Sequence, residues 1–142
     1  MKQTAAKADW LIGKGLFTAK IKGVALRSMK DPGTAYDDPM LGKDPQPAHM
    51  KDYYKGSDDN GGVHINSGIP NRAFFLTAAA IGGFAWEKAG KIWYMALCDR
   101  LRPSSNFKAA RQSTISAAAQ LYGAGSNEEK AVSAAWTQVG VV

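Results

Sequence analysis

The chain has 142 residues and a net charge of +6, from 18 Lys and Arg set against 12 Asp and Glu. That length suits one domain with a respectable apolar core, and a single cysteine, Cys98, excludes an internal disulfide. No apolar run approaches a membrane span, the first residues lack the apolar core of a signal peptide, and the basic residues are scattered rather than gathered into a nucleic-acid stripe.

Residues 1–62 read as irregular. Asp31-Pro32-Gly33 makes a turn, and the run from Asp37 through Pro39, Pro45 and Pro47 cannot hold a helix. Tyr36 and Leu41 are expected to pin this stretch against helices. Next comes Asp59-Asn60-Gly61-Gly62-Val63-His64, where Asn60, Gly61 and Gly62 supply the positive φ of a tight turn. Such a turn lets Asp59 reach the ring of His64. A carboxylate on one imidazole nitrogen leaves the other aimed outward, ready for acid, base or oxyanion work. The plainer alternative is a turn whose histidine merely caps the following helix.

Beyond that turn, the spacing predicts four helices. Pro70 suits a first helical position, with Phe74, Thr77, Ala78 and Ile81 on one face before Gly82-Gly83. Ala89, Ile92, Trp93, Ala96, Leu97 and Leu101 repeat the stripe as far as Arg102-Pro103. Ser105 or Asn106 caps a third helix with Ile115, Ala118, Ala119 and Tyr122 facing inward and Gly123 at its end. Ser126-Asn127-Glu128-Glu129 is a capping box for a fourth, with Val132, Ala135, Trp136 and Val139 on one face. Trp93, Tyr94 and Trp136 are expected in the core, and Cys98 is expected to be a small buried hydrophobe. The fold expected is mostly α: one domain over residues 1–142, a helical bundle of about four to five helices (63–142) preceded by a long irregular, loop-rich segment (1–62).

The letters of the turn carry more than its spacing. Asp59 to Ile69 reads D-N-G-G-V-H-I-N-S-G-I, which resembles at every position the signature of the C-terminal domain of thermolysin-like neutral zinc metallopeptidases. Leu26-Arg27-Ser28-Met29 with Asp31-Pro32, Lys91-Ile92-Trp93-Tyr94, Ser105-Asn106-Phe107 and Leu121-Tyr122-Gly123 are similar to further landmarks of that family. The resemblance covers the chain from about Ala8 onward.

It implies a helical domain forming one wall of a peptidase cleft. His64 would hydrogen-bond the oxyanion, Asp59 would orient and charge it, and Arg27 would hold a substrate carbonyl. Leu26 and Leu16 would line the pocket for a bulky apolar residue after the scissile bond. The same resemblance sets out what to look for elsewhere. His49 and His64 are the two histidines, and neither begins H-E-x-x-H. Zinc is therefore expected from an N-terminal catalytic domain outside this chain, with no metal held here and no hydrolysis by the chain alone. The family's acidic calcium turn, D-W-E-I-G-E, reads Asp9-Trp10-Leu11-Ile12-Gly13-Lys14, and Val24 stands where another Asp ligand would be. Calcium is accordingly not expected. Expected partners are a peptide or protein substrate, the N-terminal domain and, through an exposed cleft face, a second copy, with no nucleic acid and no membrane. A free-standing helical module that binds peptides without catalysis remains the alternative.

Overall fold

The computed structural model describes residues 3–142. The chain is mainly helical. Its elements, in order, are β1 (Leu11–Ile12), β2 (Arg27–Ser28), β3 (Asp37–Asp38), β4 (Gly42–Lys43), a 3-10 turn at Met50–Asp52, α1 (Asp58–Asn66), α2 (Gly68–Ile81), α3 (Ala89–Asp99), α4 (Phe107–Tyr122) and α5 (Asn127–Gln138). Packing gathers the described residues into two compact units, one of Asp9–Arg72 and one of residues 3–8 with Ala73–Val142.

In the helical unit, α4 packs on both α3 and α5. Small side chains make this close approach possible, since Ala78, Ala89, Ala96, Ala117, Ala118 and Ala135 are all buried. Trp136 fills the space they leave. It is 1% exposed, stacks on Trp93 at 6.2 Å, and donates its indole N–H to Thr114 Oγ1 at 2.9 Å. Thr114 in turn donates to the carbonyl of Ala110, so a buried hydroxyl and a buried indole are both satisfied. Asn106 Oδ1 caps α4 through the Ala109 N–H, and Ser126 Oγ caps α5 through the Glu129 N–H. The Glu129 carboxylate accepts from the Gly125 N–H, one residue ahead of the usual partner in a capping box. Lys88 and Glu128 pair at 2.6 Å, which raises the lysine's pKa and lowers the glutamate's.

The other unit is built differently. Each of its strands has two residues: β1 pairs with β2 and β3 with β4, both antiparallel. Carboxylates do what longer ladders would otherwise do. Asp38 accepts from the N–H groups of Lys22, Met40 and Leu41, and Asp44 from those of Gly33, Ala35 and Gln46. Buried backbone donors need partners, and an ionised acceptor is a strong one.

Several expectations need correcting. α2 begins at Gly68, which makes Pro70 its third residue; in the first turn the missing N–H still costs nothing. α3 stops at Asp99, short of Leu101. Tyr94 is 70% exposed, Leu97 is 66% exposed and Cys98 is exposed, so that flank of α3 is not core. On α4 the buried residues are Thr114, Ala117 and Ala118, a face turned by one position from the one predicted. Tyr36 packs edge-on against Phe17, and Leu41 is 49% exposed.

Candidate functional site

α1 opens with a left-handed turn. Asp59 (φ 55°, ψ 40°), Asn60 (51°, 46°), Gly61 (78°, 25°) and Gly62 (79°, 30°) take the left-handed conformation in succession. Each non-glycine residue there costs roughly 1–2 kcal/mol, less for Asn and Asp, whose short polar side chains bond locally. The Asp59 carboxylate supplies the compensation. Its Oδ2 accepts from the N–H groups of His64 (2.7 Å) and Ile65 (2.9 Å), just beyond the left-handed residues. Its Oδ1 lies 2.6 Å from His64 Nδ1.

Gly62 leaves room for the Tyr54 ring, because a Cβ there would stand 2.6 Å from Tyr54 Cδ1. Tyr54 and Asn66 exchange two hydrogen bonds, N–H to Oδ1 at 2.9 Å and Nδ2 to O at 3.0 Å. Together they fasten the far end of α1 to the segment ahead of it.

The electrostatics follow from these contacts. The hydrogen bond from His64, followed by the Ile65 and His64 backbone N–H groups, holds the Asp59 carboxyl below its usual value. An ionised carboxylate only accepts, so His64 Nδ1 carries the hydrogen between them. The ring is not sealed in. The His64 side chain is 77% exposed and Asp59 24%, leaving Nε2 open to a ligand.

A third group, which the sequence did not single out, reaches His64 from the proline-rich loop. Gln46 is 3% exposed, and its Nε2 donates to the His64 carbonyl and to Ser67 Oγ, both at 2.8 Å. Ser67 Oγ donates to the same carbonyl at 2.7 Å. The loop lies close beneath, since a Cβ on Gly68 would come within 2.5 Å of the Pro47 carbonyl. The sequence offered one cue, an amide between two prolines, at a separation where periodicity is silent.

Leu16 and Leu26 converge over Gly13, where an added Cβ would meet both side chains at 2.9–3.1 Å. Leu16 is 66% exposed and Leu26 39%. Arg27, on β2, donates from Nη1 to the Leu26 carbonyl at 2.7 Å. The structure thus joins Asp59 with His64, and Leu16 with Leu26 beside Arg27. In the turn before β1, Asp9 Oδ2 is held by Lys14 Nζ at 2.9 Å and its Oδ1 by the Leu11 N–H. The lysine contact is the main reason that the Asp9 pKa is lowered. Among the described residues, no group of three His, Cys, Asp or Glu side chains could hold a metal ion. His49 caps the 3-10 turn, its Nδ1 accepting from the Lys51 N–H.

Residues 1–141 match the family model described as thermolysin metallopeptidase, alpha-helical domain. The extracellular metalloprotease of Pectobacterium carotovorum subsp. carotovorum is 53% identical over 142 residues, covering 98% of this chain and 40% of the relative. Thermolysin from Alicyclobacillus acidocaldarius subsp. acidocaldarius is 43% identical over 140 residues, covering 94% of this chain and 24% of the relative. Among solved structures, the precursor of protealysin, a metalloproteinase from Serratia proteamaculans, is similar with a TM-score of 0.94 and 59% identity, over 99% of this chain and 43% of that one. The chain spans 40% or less of the length of these curated relatives.

Proposed function

The chain belongs to the thermolysin metallopeptidase family as its alpha-helical domain, and from that premise we propose that it forms one wall of a peptidase cleft. One observation carries the reading: Asp59 grips Nδ1 of an imidazole that is otherwise open, at 2.6 Å. When a peptide bond is attacked, its carbonyl oxygen takes on negative charge. A donor already in place stabilises that charge without reorganising. His64 is that donor, from Nε2, and the ionised Asp59 fixes the ring's orientation from Nδ1. Arg27 holds a neighbouring substrate carbonyl with its rigid fork of donors. Leu16 and Leu26 receive a bulky apolar side chain after the scissile bond.

The zinc ion is supplied by residues outside this chain, from a catalytic domain that the longer relatives have room for. The ion's contribution is to polarise the scissile carbonyl and activate water. The expected outcome is that the complete protein hydrolyses peptides and the isolated chain does not. His64→Ala in the complete protein should lower kcat on the order of a hundredfold, with KM within a few-fold. An unchanged kcat would overturn the assignment.

Calcium is not needed at the Asp9 turn. Lys14 already sits on the Asp9 carboxylate, and a cation there repels a second one. Addition of EGTA should leave the thermal midpoint of the chain where it was; a clear drop would restore calcium to this turn.

A further inference from the structure

We propose that Gln46 is a positioning residue for His64, an inference that rests on the oxyanion role given to that histidine. The backbone of residue 64 is held at both ends. Asp59 Oδ2 takes its N–H at 2.7 Å, and Gln46 Nε2 donates to its carbonyl at 2.8 Å. Ser67 closes a triangle, accepting from the same Nε2 and donating to the same carbonyl. The His64 carbonyl lies in the last turn of α1, where carbonyls lack partners within the helix. Gln46 and Ser67 supply them.

Gln46 is itself fixed. It is 3% exposed, its own N–H donates to Asp44 Oδ1, and its loop closes on Gly68 with no room for a side chain there. Its Oε1 is buried without a hydrogen-bond partner among the described residues. An amide that leaves half of its polar end unsatisfied is kept in place for the other half, and that half ends on His64. The ring hangs from the clamped residue, so a tilt of the backbone moves Nε2. A displacement of about 1 Å at a reacting group costs up to about a hundredfold in rate.

The test compares Gln46→Ala, Ser67→Ala, His64→Ala and the Gln46→Ala/His64→Ala double variant of the complete protein. Two readouts are followed: peptide hydrolysis, and the nitrogen resonances of labelled histidine. Gln46→Ala should lower kcat about tenfold with KM within about twofold, and Ser67→Ala should lower it by a smaller factor. In the His64→Ala background, Gln46→Ala should cost nothing further, because it acts through the ring. The resonances should report a single, well-defined His64 ring in the parent, and averaging or broadening in Gln46→Ala. An equal loss of kcat in both backgrounds would overturn the proposal, since Gln46 would then be structural. So would His64 resonances unchanged in both Gln46→Ala and Ser67→Ala. The histidine role fails separately, when His64→Ala itself leaves kcat unmoved; the nitrogen signal then still decides whether Gln46 holds the ring.

Discussion

Asp59 does two jobs with one carboxylate, holding the backbone of the turn and the ring of His64. Its folded value is depressed, first by the His64 hydrogen bond and then by the two backbone N–H groups. A depressed carboxyl adds stability above its unfolded value, near 3.8, and that contribution is lost as pH falls through the folded value. The amides of His64 and Ile65 should therefore resist exchange evenly from neutral pH down to about 4, then lose protection below it. Asp59→Asn should weaken that protection already at neutral pH and flatten its acid dependence. It should also lower kcat by less than His64→Ala does, because Asn can still hold the ring but brings no charge. Amide exchange followed by NMR checks the first part, and steady-state kinetics the second. Protection that is insensitive to both pH and the substitution would show that the turn stands without the carboxylate. The residue types and their five-residue separation already pointed to this pair. What spacing could not supply was Asp59's own left-handed φ, because the sequence cue for positive φ rested on Asn and Gly.

At the scale of elements, the left-handed turn of α1 tests whether glycine is present for conformation or for space. Gly61 (φ 78°) has no atom within 4 Å of an added Cβ, whereas one on Gly62 (φ 79°) would strike Tyr54 Cδ1 at 2.6 Å and Asn66 Nδ2 at 2.8 Å. Gly61→Ala should cost about 1 kcal/mol, the conformational penalty alone. Gly62→Ala should cost clearly more and loosen the Tyr54–Asn66 pairing, because the ring cannot retreat without breaking it. Urea denaturation of both variants checks the order, and equal losses would mean that crowding at Gly62 is relieved elsewhere. The regular helices were legible for a different reason. Val132, Ala135, Trp136 and Val139 repeat at helical spacing and are all buried, so an apolar stripe alone identifies α5. α4 misled by one position because its most buried face includes Thr114, whose hydroxyl is hidden by bonds to Ala110 and Trp136. The two-residue strands are too short to alternate and left no pattern to find.

Over the whole molecule, two kinds of order coexist, and sequence reads them unequally. The helical unit is held by side chains whose periodicity is local. The unit of Asp9–Arg72 is held by carboxylate and amide contacts such as Asp38 to Lys22 and Gln46 to His64, whose partners are far apart in sequence. Family resemblance reached Asp59, His64 and Arg27 there, but spacing could not reach Gln46. That same unit carries the molecule's more conspicuous apolar exposure: Ile12 at 47%, Leu16 at 66%, Val24 at 59% and Leu26 at 39%, all within fifteen residues of chain. Exposed aliphatic side chains gathered on one segment favour association, because each contact removes apolar area from water. In the proposed peptidase Leu16 and Leu26 of this surface meet substrate, so in the isolated chain the surface should meet a second copy. Sedimentation velocity at two concentrations about a hundredfold apart should show the coefficient rising with concentration. Leu16→Asp, which places a charge in that surface without touching the core, should hold the coefficient at its dilute value. A parent chain that sediments identically at both concentrations would mean that these side chains do not come together strongly enough to bring two copies into contact.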